Sequence, residues 1–164
     1  MKAKNHSQKF KRWQAKVCQQ TQFLSKLTEQ QIIPFFESIG FQRVDICLND
    51  SERPVAMDSI ELERIINDQI DSVDVSFAKY GEPKFQIGFS RREVSKPYKF
   101  IRSGCLVKKP SQYYFFWGKP WWCPLSFWSE SNSIKTIDEI MPLLPQILEF
   151  LESGVRGKNI SKEV

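Results

Sequence analysis

The chain has a single histidine, His6, and that scarcity removes the usual general base and the usual partner of a serine or cysteine nucleophile. It lacks a glycine-rich phosphate loop, a dinucleotide fingerprint and a His-Glu-x-x-His helix, so the common signatures of nucleotide and metal hydrolysis chemistry are missing. Cys18, Cys47, Cys105 and Cys123 stand far apart with no C-x-x-C pair, which argues against zinc and for buried or half-buried free thiols. No apolar run approaches the roughly 20 residues that cross a bilayer, and no apolar segment follows Met1 as in a secretion signal. A cytoplasmic chain without metal or cofactor is the expectation.

Aromatic residues, at 13%, and hydrophobic residues, at 41%, are abundant over 164 residues. A chain of that length and composition can bury one substantial core. The net charge of +5 is segregated. Residues 1–28 hold seven Lys/Arg and no acid, 29–82 hold four basic and twelve acidic residues, and 83–124 hold nine basic and one acidic. Such blocks create distinct positive and negative fields that steer a charged partner.

The clearest pattern runs from Ile60 to Glu93. Val73, Val75 and Phe77 alternate with polar neighbours, and so do Phe85, Ile87 and Phe89. A period of two predicts two antiparallel strands with those six side chains buried and Asp74 and Gln86 not. Gly81 and Pro83 fit a connection longer than two residues. Residues 60–66 are read as a further strand, although Leu62, Ile65, Ile66 and Ile70 also fit a helical turn. Phe41 to Leu48 makes another strand, through Val44, Ile46 and Leu48, and 49–59 a polar loop.

Residues 1–7 are read as a flexible basic tail, 8–154 as one α+β domain and 155–164 as a polar tail. An amphipathic helix starts at Gln8 through Phe10, Trp13, Val17, Leu24 and Leu27. Thr28-x-x-Gln31 fits a capping box that opens a second helix, kinked at Pro34 and ended by Gly40. Residues 94–112, punctuated by Pro97, Gly104 and Pro110, are read as a long segment that can hide a strand near Phe100 or Leu106. Tyr113 to Trp117 is a short aromatic strand. The final helix spans 133–153 and ends at Gly154, with Thr136-x-x-Glu139 as a capping box; Pro142 and Pro145 place its regular part after Met141, the earlier residues forming a separate turn. The fold class expected is α+β: an antiparallel meander of four to five strands, covered mainly on one face by N-terminal and C-terminal helices.

Paired carboxylates, Glu61 with Glu63 and Asp71 with Asp74, read as a solvated face rather than an acid–base pair. Residues 113–128 hold nine aromatics in sixteen positions, too many for one face of one element. Lys99, Arg102, Lys108, Lys109 and Lys119 interleave with Tyr114, Trp117, Trp121 and Trp122, and these are the candidate binding residues. Stacked rings among cations suit single-stranded nucleic acid, while the competing reading puts most of these rings in the core.

The segments IIPFFESIGFQRV, FAKYGEPKFQIGFSRR and LLPQILEFLESG resemble small bacterial families of unknown function, over about residues 27–153. The resemblance implies an α+β fold of immunity or accessory type and no catalytic residues. The function expected is therefore non-enzymatic binding of a protein partner, with nucleic-acid binding through residues 97–128 as the alternative.

Overall fold

The computed structural model describes residues 3–45, 55–78, 80–109, 115–120 and 122–161. The chain is α+β, with helices α1 (Ala3–Gln14), α2 (Gln19–Ser38), α3 (Glu130–Ile140) and α4 (Pro145–Ser153). The strands are β1 (Gln42–Val44), β2 (Ser59–Ile66), β3 (Gln69–Phe77), β4 (Lys84–Glu93), β5 (Lys96–Leu106), β6 (Phe116–Trp117) and β7 (Ile160–Ser161). All pairings are antiparallel in the order β1-β2-β3-β4-β5-β7, and β6 joins the start of β4. The sheet is wider than the four to five strands expected.

Strand alternation sets the layers. Ile60 and Leu62, Val73 and Val75, and Phe85, Ile87 and Phe89 all turn to one face, where they are buried against Phe10, Leu24, Ile32, Phe36, Ile137, Ile147 and Leu151 of the helices. All six of the apolar meander residues are thus core, while Asp74 and Gln86 stay half-buried on the other face. Each large side chain so buried contributes roughly 1.5–3 kcal/mol, which fixes the register because a one-residue slip would expose the whole set.

The turns follow from local chemistry. Asn67 and Asp68 have φ of 51° and 58°, the left-handed pair of a type I′ turn, and join β2 to β3 with Ile66 opposite Gln69. The β3–β4 connection is longer, closed by Ala78 N–H donating to Lys84 O with Gly81 at φ 77°. At the end of α2, Gly40 takes φ 93°, its N–H donates to Glu37 O, and Phe41 N–H donates to Phe36 O. Phe36 and Phe41 meet with ring centroids 5.5 Å apart, so both the hydrogen bonds and the apolar contact of this helix ending are present.

Several expectations are corrected. The first helix breaks at 15–18, and Cys18, in an extended conformation, precedes α2. Thr28 caps nothing: it is buried inside α2, where its hydroxyl donates to Leu24 O. Cys18 is exposed, not half-buried; Cys105 is buried and Cys123 intermediate. The strand expected to hide near Phe100 or Leu106 is present and longer than that reading: residues 96–106 form β5, which turns out of β4 through Val94 and Ser95. Two register shifts, at Arg91/Arg92 and Arg92/Glu93, destroy the alternation that would have revealed it. Residues before Met141 make a full helix, α3, and Thr136 sits within it, donating to Trp117 O and Asn132 O rather than capping. α1 begins at Ala3, within the stretch expected to be a tail, and the C-terminal stretch contributes β7, with Leu106 opposite Ile160. Ile46, Cys47 and Leu48 of the expected fourth strand lie outside the described residues, as do Tyr113 and Tyr114. Among the described residues no helix is long and apolar enough to cross a membrane.

Candidate functional site

The aromatic segment is anchored before it is exposed. β6 pairs with β4, Lys84 opposite Trp117 and Phe85 opposite Phe116, which buries Phe116 against Phe85. Gly118 N–H donates to Pro83 O at 2.7 Å, and Gly118 O accepts from Ser133 Oγ at 3.2 Å. A Cβ at Gly118 would come within 2.9 Å of Ser133 Oγ and 3.0 Å of Leu24, so only glycine lets β6 lie this close to α2 and α3.

Two lysines complete the footing. Lys84 Nζ stands 4.4 Å from the Trp117 ring centroid and 4.9 Å from that of Phe115, and pairs with Glu82 at 2.7 Å. Lys119 is buried; its Nζ donates to Cys123 O at 2.6 Å and to Pro120 O at 3.3 Å, and lies 4.9 Å from the Trp117 ring centroid. Trp117 thus has two ammonium groups within reach of its ring, each attracted by the ring quadrupole. Trp128 closes the segment: its Nε1–H donates to Ser133 Oγ and its ring meets Phe23 edge-on at 5.8 Å.

Between Lys119 and Trp128 the chain turns outward. Trp122 is 72% exposed, Phe127 71% and Leu125 41%, all on or beside the single helical turn Leu125–Phe127. These three are exposed apolar side chains within residues 122–127, next to a pinned base. Leu125 and Phe127 were not among the sequence candidates, because composition does not distinguish an outward ring from a core ring.

The candidate cations are divided among several elements. Lys99 and Lys109 are exposed, before and after most of β5. Lys108 forms an ion pair with Glu139 of α3. Arg102 turns to the helix side and donates to Leu151 O. With Lys119 committed to carbonyls, the structure brings Trp117 and Lys119 together and commits Arg102 and Lys108 to partners on the helices. Tyr114 and Trp121 lie outside the described residues.

A second surface is the face of the sheet opposite the helices. A groove of about 480 Å³ runs over β2, β3 and β4, lined by Ser59, Glu61, Asp74, Gly88, Ser90 and Arg92 among others, with Val55 and Ala56 on one side and Phe100 on another. Arg92 Nη2 donates to Ser72 Oγ at 2.7 Å, and Ser72 Oγ donates to Glu63 Oε1 at 3.1 Å. Ser76 Oγ donates to Asp74 Oδ2 at 2.6 Å and lies 3.0 Å from Ser59 Oγ. The paired carboxylates were expected on a solvated face; Glu63 and Asp71 are instead buried, Glu63 accepting from Ser72 Oγ and Asp71 from Arg64 and Arg91. Among the described residues no group of three or more His, Cys, Asp or Glu side chains is placed to hold a metal ion.

Comparison with protein-family models, curated proteins and solved structures found no match to this chain.

Proposed function

We propose that the protein is a non-enzymatic, cytoplasmic binding protein of the accessory or immunity type, and that its ligand is another protein seated on Trp122, Leu125 and Phe127. The observation that carries this reading is the pairing of outward rings with an immobilised base. Trp122 and Phe127 are more than two-thirds exposed, yet Trp128, Lys119 and Gly118 fix the chain on both sides of them. Exposing such rings is unfavourable in isolation, and little ordering entropy is left to lose when a partner covers them. Interface anchors are enriched in tryptophan for this reason. Cys18 and Cys123 form no disulfide among the described residues, which suits a reducing compartment.

The nucleic-acid alternative asks for cations around the rings. Arg102 and Lys108 are instead spent on Leu151 O and Glu139, and Lys119 on backbone carbonyls.

The test is capture of a partner by the immobilised chain, purification of that partner, and calorimetric titration at low and high salt. Trp122→Ala and Phe127→Ala should each weaken the complex by ~2 kcal/mol, about thirtyfold, with mild salt dependence. A partner bound equally well by both variants overturns the reading. So does saturable binding of fluorescent single-stranded RNA whose affinity falls steeply with salt, the mark of released counterions.

A further inference from the structure

We infer that the outward face of α1 is a docking surface for an acidic segment of a protein partner. For the class of its occupant the inference rests on the reading of Trp122, Leu125 and Phe127 as a protein-binding surface. It begins with charge that nothing relieves. Residues 1–28 hold seven Lys/Arg and no acid, and Lys9, Lys11, Arg12 and Lys16 are all exposed. None of these four side chains has an ion-pair or hydrogen-bond partner among the described residues.

Helix geometry gathers the four. The helical bonding continues past Gln14, with Ala15 N–H donating to Lys11 O and Val17 N–H to Trp13 O. Lys9, Arg12 and Lys16 therefore stand at i, i+3 and i+7, one row about 10 Å long at 1.5 Å per residue, flanked by Lys11 and Ala15. The other side of the helix is fixed inward. Phe10 is buried, its ring centroid 5.3 Å from Trp13 and 5.9 Å from Phe77, and Gln14 Nε2 donates to Ser25 Oγ. Packing thus holds the cationic row outward in one orientation.

Four unpaired cations select an anion, and the surroundings narrow its class. No aromatic ring lies on the exposed arc, so the bases of a single strand have nothing there to stack on. Phe10 and Trp13 are engaged with Phe77, which leaves α1 no apolar side to lay into a lipid surface. A second copy of this chain offers few free acids: Glu29, Glu37, Glu82, Glu93, Glu139 and Glu152 are each paired with a cation of their own chain. A different protein that presents carboxylates fits the row.

The connections of α1 support the same occupant. Its end and the footing of the aromatic segment rest on one loop, the β3–β4 connection. A Cβ at Gly81 would lie 3.5 Å from Val17, Thr21 Oγ1 donates to Gly81 O, and Gly118 N–H donates to Pro83 O. Protein interfaces combine apolar anchors with charged borders that steer the encounter and select the partner.

The probe is a short oligo-L-glutamate peptide in amide-resolved NMR titrations. At low salt it should shift the amides of residues 9–16 saturably, and high salt should abolish the shifts. The double variant Arg12→Gln, Lys16→Gln should weaken binding at least about tenfold with no loss of melting temperature. Lys135→Gln with Lys158→Gln removes the same charge from two other exposed positions and should leave the affinity unchanged. Trp122→Ala should also leave oligoglutamate binding unchanged, so the helix site and the ring site fail separately. A partner whose complex is weakened by Trp122→Ala and not by the Arg12, Lys16 pair overturns this inference while the ring reading stands. Absence of saturable shifts in α1, equal losses in the two double variants, or tighter binding of a random-sequence DNA duplex or of phosphatidylserine vesicles overturns it as well.

Discussion

Asp71 and Arg91 face each other across β3 and β4 in a two-pronged contact, with Arg91 Nε 2.5 Å from Oδ1 and Nη2 2.8 Å from Oδ2. Arg64 approaches the same carboxylate from β2, its Nε 2.9 Å from Oδ2, and continues to Glu152 at 3.1 Å. Arg64, Asp71, Arg91 and Arg102 make one row across four strands on the helix side of the sheet. The row also secures two helix ends: Arg64 donates to Ile39 O after α2 and Arg102 to Leu151 O in α4. Cations placed there complement the negative ends of the helix dipoles.

Removing the shared anion strands a buried cation. Asp71→Ala should destabilise the fold by about 3–5 kcal/mol, because Arg91 would keep the desolvation cost without the compensating charge and Arg64 would be left with the Glu152 carboxylate alone. Equilibrium urea unfolding measures it. The double variant Asp71→Leu, Arg91→Met should lose less than Asp71→Ala alone, since it removes the stranded Arg91 charge with the anion.

The same pair sets an alkaline dependence. The hydrogen bond from Arg91 to Asp71, opposed by burial and aided by the charges of Asp71 and Glu152, holds the Arg91 guanidinium above its ordinary range. A raised folded-state value gives stability that is fully present below the unfolded-state value and is lost only as pH rises through the folded one. Wild-type protein therefore keeps this contribution throughout the working range. Arg91→Lys places a group of ordinary pKa ~10.4 at the site and should make the difference from wild type grow only as pH rises above about 10. Paired melts of the two proteins at stepped pH read this directly, and parallel curves would show that the position is not linked to pH.

What was legible in the sequence was local. Val73, Val75 and Phe77 declared their face because polar residues intervene at every second place, and Gly40 and Gly154 declared helix ends because few other residues take φ near 93° or 78° at little cost. β5 was hidden by tertiary demands. The register shifts opposite Arg91 to Glu93 insert extra residues into β5 and displace its own alternation, and Pro97 is tolerated at its second residue, where no strand lies on the outer side among the described residues. Thr28 carried a capping pattern, yet its surroundings are apolar and its hydroxyl turned back to Leu24 O. The candidate site was half legible for the same reason. Aromatic density marked residues 113–128, but Trp128 is covered because Phe23 of a distant helix reaches it, while Trp122 is left outside.

Gly104 tests the closing strand. A Cβ there would lie 2.7 Å from Ser161 O and 3.1 Å from the Phe89 ring, and the first of these is backbone that cannot swing aside. Gly104→Ala should cost about 1–3 kcal/mol through overpacking and should push β7 from β5. Hydrogen exchange should show faster exchange at Val107, whose N–H donates to Asn159 O beside the β5–β7 pairing, while amides of β3 stay protected. Unchanged protection at Val107 would show that β7 accommodates the methyl.

Phe77 joins α1 to the sheet. It is buried at the end of β3, with ring centroids 5.9 Å from Phe10, 5.4 Å from Trp13 and 5.6 Å from Phe85. α1 has few contacts with α2, so this ring cluster supplies much of what holds the N-terminal helix against the domain. Phe77→Ala should destabilise the protein by roughly 3–5 kcal/mol, the transfer loss plus the cavity left among three aromatic neighbours. Its second consequence is local: Trp13 loses a ring contact on its inward side, so its fluorescence should shift to the red before global unfolding begins. Limited proteolysis should then cut between α1 and α2 first, because residues 15–18 are the point where the helix is already broken. A loss under ~1 kcal/mol, far below that of core truncation, with unshifted Trp13 emission would mean that α1 is held by other contacts.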